Sequence, residues 1–554
     1  MKNLFLLLIA IILMSALILG GCAQKAPAPT TTPAPPPAKT TAPLPATTTA
    51  PAPTAPKPTA APTSAPTPST TQSQYGGILK IIVRADVQAI GTPSEGPGGA
   101  PHRLVESAYD FLVRYDANYN FQPRLAEYWD ITPDGRSITF RLRKGIKFHD
   151  GTPFNAAAVQ ANLEIYAPNN VRTPSLKKIT SYNIIDDYTI RLNLSGFDST
   201  LMIDLGDGPG MICSPTALKK QTTAENLAKD HLVGTGPFKF ASFQRQQNVK
   251  YVKNADYWQP GKPYLDGVEF YTVIDPMTSI MSFKKGEANV LFGLNITEAN
   301  DLKASGYDIV TTDIKPIAIL IPDGLNKDSP FAKKEVRQAA EYALNKVALA
   351  KSFGGEYYEP VTQFAKTGST FFVDGLTARN YDPKKAKELL KSAGYPDGFK
   401  TKIYASMTLD KNMLVAIQTF LKEVGIDAEL DLADSVRLTD MQNNGWRNGL
   451  FMPTFPIIPN IRSLSFRLAG GYHVSMFKLP DWQEKVDATV SQSDVQKQLA
   501  QYKELTRIMF DEAMNIPLWT KPDISAVDKK VRDLKWTQGG HPRFYEPQDA
   551  WLSK

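Results

Sequence analysis

The composition of this chain breaks once, near residue 75, and what can fold lies beyond the break. From Ala23 to Gln74 it is almost entirely Pro, Ala, Thr and Ser, with Lys25, Lys39 and Lys57, no acid and almost no side chain able to bury apolar surface. Such a stretch cannot offset the conformational entropy lost on ordering, so it is expected to stay unfolded as a tether. Its prolines favour polyproline geometry at about 3.1 Å per residue, so roughly fifty residues reach up to about 160 Å. The same Thr/Pro composition suits a glycosylated stalk, and the two readings are compatible. Residues 76–554 hold 479 of the 554 positions, too many for one ordinary core, so two or three subdomains are expected.

Ahead of the tether, Lys2 and the apolar stretch Leu4 to Leu19 are of signal-peptide type, and Gly20-Gly21 precede Cys22. The segment resembles a bacterial lipoprotein signal, which implies a signal peptide over 1–21, a diacylglyceryl group on the Cys22 thiol and a tether over 22–75. An uncleaved transmembrane anchor is the alternative, because Leu4 to Gly21 approaches the roughly 18 to 20 apolar residues that cross a bilayer. Either way the remainder is expected outside the cytoplasmic membrane. With Cys22 lipidated only Cys213 remains, so no internal disulfide is expected and stability must come from the core.

Four of the 62 basic residues and none of the 55 acidic ones precede residue 76, leaving 58 basic against 55 acidic in the folded part. So small an excess gives no electrostatic case for nucleic acid or an anionic membrane surface as partner. His102, His149, His231, His473 and His541 lie far apart without metal-site spacing, so no metal held by protein ligands alone and no cofactor is expected.

Ile78 to Val83 is short, apolar and β-branched, which predicts a buried strand. Ile138, Phe140 and Leu142 alternate with polar residues after the turn signal Pro133-Asp134-Gly135, and Tyr188 to Leu194 repeats the alternation, predicting a small, mainly β subdomain. Val336, Ala339, Ala340, Ala343, Leu344 and Val347 recur at helical spacing. Asp382-Pro383 starts a second helix that Gly394 ends. Strand, helix and strand then follow over Lys400 to Ala405, Asn412 to Val424 and Gly425 to Leu432, the signature of an α/β lobe with parallel pairing. A last helix over Tyr502 to Phe510 and a strand over Asn515 to Trp519 complete the pattern.

Several segments together resemble the family 5 extracellular solute-binding proteins, the oligopeptide, dipeptide and nickel receptors of ABC importers. The most specific runs from Leu125-Ala126-Glu127-Tyr128-Trp129 through Asp134-Gly135 to Phe140 and on to Phe154, including His149-Asp150-Gly151-Thr152-Pro153. Gly234-Thr235-Gly236-Pro237-Phe238, Asp256-Tyr257-Trp258, Val336-Arg337-Gln338-Ala339, Gly425-Ile426-Asp427 and Ile516-Pro517-Leu518 follow in the family's order. The resemblance implies a periplasmic-binding-protein-like α/β fold of type II, with two hinged lobes and an additional β-rich subdomain. Projected on this chain, lobe I takes 76–112, 216–315 and 516–554, the subdomain 113–215, and lobe II 316–515. It also implies a monomeric receptor on the outer face of the membrane that delivers a peptide-like or other small solute to permease subunits.

Most motif residues read more simply as structural. His149-Asp150-Gly151 follows an alternating strand and reads as a turn, and Trp129, Tyr257 and Trp258 read as core aromatics. An enzyme reading rests on Ser282-Phe283-Lys284-Lys285 and Lys366-Thr367-Gly368, which match S-x-x-K and K-T-G of penicillin-binding enzymes, but the Ser-x-Asn or Tyr-x-Asn element between them is missing. No catalytic residue is therefore assigned. A surface sensor or adhesin reusing the fold is a further alternative.

Peptide-binding members of the family place an acid in lobe II to pair the peptide's α-ammonium. The corresponding stretch here, Gly449 to Asn460, holds no carboxylate. A buried ammonium without counter-charge is costly, so Asp323 or Asp434 would have to approach from elsewhere. Phe451, Thr454, Phe455 and Tyr472 suit a ligand with apolar or flat surfaces. Gly98, Gly99 and His102 fall in the loop that lines the cleft in relatives. Asp323 before Gly324 also reads as a turn residue.

Overall fold

The computed structural model describes residues 74–85, 90–91, 104–116, 119–169, 173–221, 223, 226–312, 315–454, 457–535 and 546–554. Cys22, Gly98, Gly99, His102 and Phe455 lie outside the described residues.

Two strands that are apolar on both faces organise the chain, as central strands covered on each side must be. The first is Ile78–Val83, the predicted opening strand. It pairs in parallel with Gly267–Thr272 and Val290–Phe292 inside a seven-stranded mixed sheet. Asp308–Thr311 and Phe238–Gln244 form the sheet's edges, and Ile524–Val527 returns from near the C-terminus to pair beside Val290–Phe292. Leu79, Ile81 and Val83 enter one buried cluster with Val249, Val268 and Phe270, while Ile82 faces the other way onto Phe283, Leu291 and Leu302.

The second is Ile317–Pro322, buried at every position. It sits in a six-stranded sheet ordered Glu359–Pro360, Ile516–Thr520, Ile317–Pro322, Gly449–Phe451, Phe399–Ser406 and Ile426–Ala433. Ala318 and Leu320 face Val336, Leu390 and Leu414, whereas Ile317, Ile319 and Ile321 face Phe451, Trp482 and Met514. Phe399–Ser406 and Ile426–Ala433 run parallel around the helix Lys411–Glu423, as the strand–helix–strand pattern predicts. Gly398 and Gly425 open these two strands at φ +76° and +97°, and a Cβ on Gly398 would stand 1.9 Å from the Gly425 carbonyl oxygen.

Two sequence expectations need correction here. The stripe from Val336 to Val347 is not one helix: Lys334–Tyr342 ends, and Asn345 caps a second helix, Lys346–Gly354, by accepting from Ala348 N at 2.9 Å. Val347 consequently points outward, 65% exposed. Ile516–Thr520, grouped from sequence with lobe I, pairs with Ile317–Pro322 in the second sheet, and the chain leaves that sheet only after Thr520.

The region 113–215 holds a four-stranded antiparallel sheet ordered Ala126–Ile131, Ser137–Leu142, Thr189–Leu194 and Ile179–Asp186, with the expected hairpin between its first two strands. It is not β alone. The sheet buries one face, and the helix Ala156–Asn169 supplies Val159 and Leu163 to cover Ile138, Phe140, Ile190 and Leu192.

Candidate functional site

The chain passes between the seven-stranded and six-stranded sheets twice, over 312–316 and over 521–523. The two passages are tied to each other. Thr312 N donates to Asp523 O at 3.1 Å, Asp523 N to Thr312 Oγ1 at 3.0 Å, and Lys521 N to Pro316 O at 2.7 Å. Adjacent short crossings of this kind concentrate φ/ψ change in a few residues, which is what a hinge requires.

A second meeting of the halves is made by side chains. Tyr115 stacks on Tyr119 with centroids 5.3 Å apart, Tyr119 meets Phe371 at 6.0 Å, and Phe371 meets Tyr502 at 4.4 Å. Asn460 Nδ2 donates to the Tyr119 hydroxyl at 2.6 Å. Arg462 reaches Asp204 and Asp207 of the four-stranded subdomain. Burial lifts the Asp204 carboxyl to about 6, opposed by the Arg462 guanidinium and the Ser175 hydroxyl, so it is ionised at neutral pH. Sequence reasoning missed this seam, because the residues that pair across it lie more than 200 positions apart and share no motif.

Of the residues predicted from sequence, Asp323, Phe451, Thr454 and Tyr472 are among the described residues. Asp323 follows Ile317–Pro322 and is fully buried. Its Oδ2 accepts from Asn448 N at 2.6 Å and its Oδ1 from Asn326 Nδ2 at 2.7 Å. Asn326 Nδ2 also reaches Trp446 O, and Ser475 Oγ bridges Trp446 N and O, so Asp323 stitches the loops 323–326, 445–449 and 473–476 together. Burial holds its carboxyl above the ordinary value against these bonds. Asp323 thus acts as an organiser of turns, with no free face for an ammonium. Asp434 likewise caps the helix Ser435–Asn444 through Arg437 N.

Phe451 is 1% exposed, stacked on Trp446 at 4.7 Å and edge-on to His473 at 5.8 Å, so it is core. Thr454 and Tyr472 keep partly open side chains, Tyr472 against Phe466 at 4.6 Å. Register separates Thr454 from Asp323: Pro322 faces Leu450, whereas Ile317, at the far end of the strand, bridges to Ile457 beyond Thr454. The strand Ile317–Pro322 therefore carries Asp323 and the Ile457 bridge at opposite ends.

The family motifs prove to be scaffolding. Asp110 is buried and accepts from Tyr257 Oη at 2.9 Å, Trp258 Nε1 at 2.8 Å and Thr235 Oγ1 at 3.1 Å, so one carboxylate binds two motifs together; burial lifts it to about 6. His149 N donates to Gly234 O and its Nε2 lies 2.9 Å from Gly236 O, while Asp150 accepts from Thr152 and Ser214, forming the expected turn at Gly151, φ +83°. Arg337 donates to Phe331 O and twice to Glu512 O, finishing the helix Val495–Asp511. Lys366 of the K-T-G match is paired with Glu359 at 3.1 Å, and Ser282 sits in the helix Pro276–Lys284. Among the described residues no cluster of three His, Cys, Asp or Glu is placed to hold a metal ion, and no helix is long and apolar enough to cross a membrane.

Sheets joined by paired crossings beside a four-stranded subdomain match a known family. The model for bacterial extracellular solute-binding proteins, family 5 Middle, covers residues 120–457. The chain belongs to this family. The glutathione-binding protein GsiB of Salmonella choleraesuis (strain SC-B67) is 29% identical over 451 residues, covering 77% of this chain and 86% of GsiB. GsiB of Shigella flexneri is 32% identical over 348 residues, 62% and 67% of the two chains. The periplasmic binding protein DppA from Helicobacter pylori, solved in complex with peptide STSA, superimposes at TM-score 0.71 and 26% identity, covering 87% of this chain and 99% of DppA. NikA from Brucella suis, solved with Fe(III)-EDTA, shares the fold at TM-score 0.76 and 21% identity, covering 85% and 100%. The fold of this family 5 protein is the type II periplasmic-binding architecture, and its role is that of a solute receptor for an ABC importer.

Proposed function

We propose that this receptor captures a short peptide-like solute between two lobes, closes about its paired crossings, and delivers the solute chemically unchanged to its permease. The observation that carries the reading is the bonding of 312–316 to 521–523, which makes one narrow pivot between two independently packed sheets. Lobe I comprises 76–112, 216–315 and the chain after the second crossing, and lobe II comprises 316–520; 113–215 stand as the subdomain.

Glutathione recognition by the GsiB relatives and the peptide complex of DppA support a solute of a few residues. Because Gly449 to Asn460 carries no carboxylate and Asp323 is committed to its turns, the counter-charge for an α-ammonium comes from another segment. Thr454 and Tyr472 line the solute from lobe II together with Phe455, and Gly98, Gly99 and His102 from lobe I. The protein acts as a monomer, without chemistry of its own.

Mass spectrometry of small molecules released by denaturing the purified chain tests the solute class. A peptide-like molecule that rebinds, seen by calorimetry alongside glutathione, supports the reading; a glycoside or a metal chelate in its place contradicts it. Lipidation at Cys22 places the receptor on the outer membrane face. It predicts a diacylglyceryl mass on the N-terminal fragment and release of Cys22→Ala into the medium, and an unmodified membrane-bound N-terminus contradicts it.

A further inference from the structure

The seam between the four-stranded subdomain and the second sheet contains a buried ion pair. Arg462 Nε lies 2.5 Å from Asp204 Oδ1 and its Nη1 lies 3.6 Å from Asp207 Oδ2. The Asp204 side chain is 1% exposed and that of Arg462 26%. Each member is held by its own element. Asp204 lies on the helix Ser199–Leu205 and its Oδ2 accepts from Ser175. Asp207 opens the turn Gly208–Gly210, accepting from Gly208 N at 2.8 Å. Arg462 is presented by the short helix Ile461–Ser463, which Asn460 caps by accepting from Ser463 N at 2.7 Å. The same Asn460 donates across the seam to Tyr119. Tyr115 and Ile203 of the subdomain enter the buried cluster that holds Ile461, Leu464 and Leu468.

Among the described residues the seam is made by side chains, and the sheet-to-sheet crossings are at 312–316 and 521–523. The seam is therefore a contact that hinge motion can make and break. We propose that Arg462 is the closure latch of this receptor, pairing with Asp204 and Asp207 to hold lobe II against the subdomain and so setting the open–closed balance on which solute binding acts. The proposal rests on the two-lobed hinge reading above. It assigns to residues outside the motif set a control over affinity, because the apparent affinity scales with the fraction of protein already closed or able to close.

The direction of each perturbation follows from burial. An ion pair taken out of water gains little over two hydrated ions, but a single buried ion without its partner is strongly unfavourable. Arg462→Gln leaves Asp204 stranded only while the seam is shut, since opening hydrates it. The variant therefore opens. Asp204→Asn strands Arg462 less, because Asp207 remains within 3.6 Å. The double variant Arg462→Gln/Asp204→Asn removes the closer pair and leaves Asp207 alone at the seam, so it should close part of the way back.

The test is the distance distribution between dyes attached to keto amino acids at Tyr128 and Val436, which are 55% and 77% exposed, in the full-length chain with both cysteines untouched. The open fraction is expected to rise about tenfold in Arg462→Gln, less in Asp204→Asn, and to fall back toward wild type in the double variant. Arg462→Lys, which keeps the charge, stays near wild type and guards against a folding defect. A wild type that samples two distances while Arg462→Gln leaves their ratio unchanged overturns the latch and leaves the hinge standing. One rigid distance in every variant, with only the urea midpoint lowered, overturns both. A double variant no more closed than Arg462→Gln also overturns the latch.

Discussion

His473 offers a sharp test of how the loops around Trp446 and Ser475 are held. It is fully buried at φ +50°, edge-on to Trp446 and Phe451. Its Nδ1 lies 2.8 Å from Arg467 O, so Nδ1 carries the proton and donates, and buried Nε2 meets no hydrogen-bond partner among the described residues. Burial, reinforced by the positive charges of Arg467 and Lys478, pushes the ring down from 6.5 to about 4. The folded state thus binds fewer protons than the unfolded one between those values. Stability falls as pH drops below 6.5 and stops falling near 4. Integrating the two titrations gives a loss of roughly 2 kcal/mol at pH 5 and a few tenths or less at pH 7. His473→Asn keeps an amide donor for Arg467 O and tolerates positive φ, but does not titrate. Urea unfolding of wild type and variant at both pH values, followed by tryptophan fluorescence, isolates the histidine because every other titrating group is shared. The stability difference should move by about 2 kcal/mol in the variant's favour on going from pH 7 to pH 5. A difference that does not change with pH refutes the burial argument.

Other substitutions probe the scaffold. Gly398→Ala drives a Cβ into the Gly425 carbonyl at positive φ and should lower stability by about 3 kcal/mol in thermal unfolding, whereas Gly151→Ala, with open space around it, costs about 1 kcal/mol. Asp110→Ala leaves three buried donors from Thr235, Tyr257 and Trp258 without their acceptor, for an expected loss of about 3 kcal/mol in denaturant titration; a loss below about 1 kcal/mol would show the motifs are held by packing instead. Asp323→Ala should speed hydrogen exchange at the Asn448 amide about tenfold or more, and unchanged exchange would contradict the stitching role.

Local pattern made much of the fold legible. The helix Pro383–Ser392 begins where Asp382-Pro383 indicates, with Asp382 accepting from Lys385 N, and the parallel pair at Phe399–Ser406 and Ile426–Ala433 follows from its apolar runs. The split at Asn345 was hidden because Val347 continued the apolar spacing although its position is turned outward by the new cap. The central strand Ile317–Pro322 was not read from the sequence, although it is six apolar residues between Pro316 and Asp323-Gly324, and its role as organiser of the second sheet depends on partners far along the chain. The site was the least legible part. Asp323 reads both as a counter-charge and as a turn residue, because a lone carboxylate near a turn has the same sequence signature whether it faces a ligand or ties loops, and only its bonds to Asn326 and Asn448 decide. Arg462, Asp204 and Asp207 meet through tertiary structure alone, which no spacing encodes.

Movement about the paired crossings is what capture of a solute requires of this fold. Small-angle scattering of the protein, stripped of solute by denaturation and refolding and then titrated with the molecule that denaturation released, tests this directly. The radius of gyration should fall to a plateau as the cleft fills, with the molecule recovered at its original mass. An unchanged radius at saturation, or a recovered molecule of altered mass, would contradict a receptor that closes on its cargo and leaves it intact.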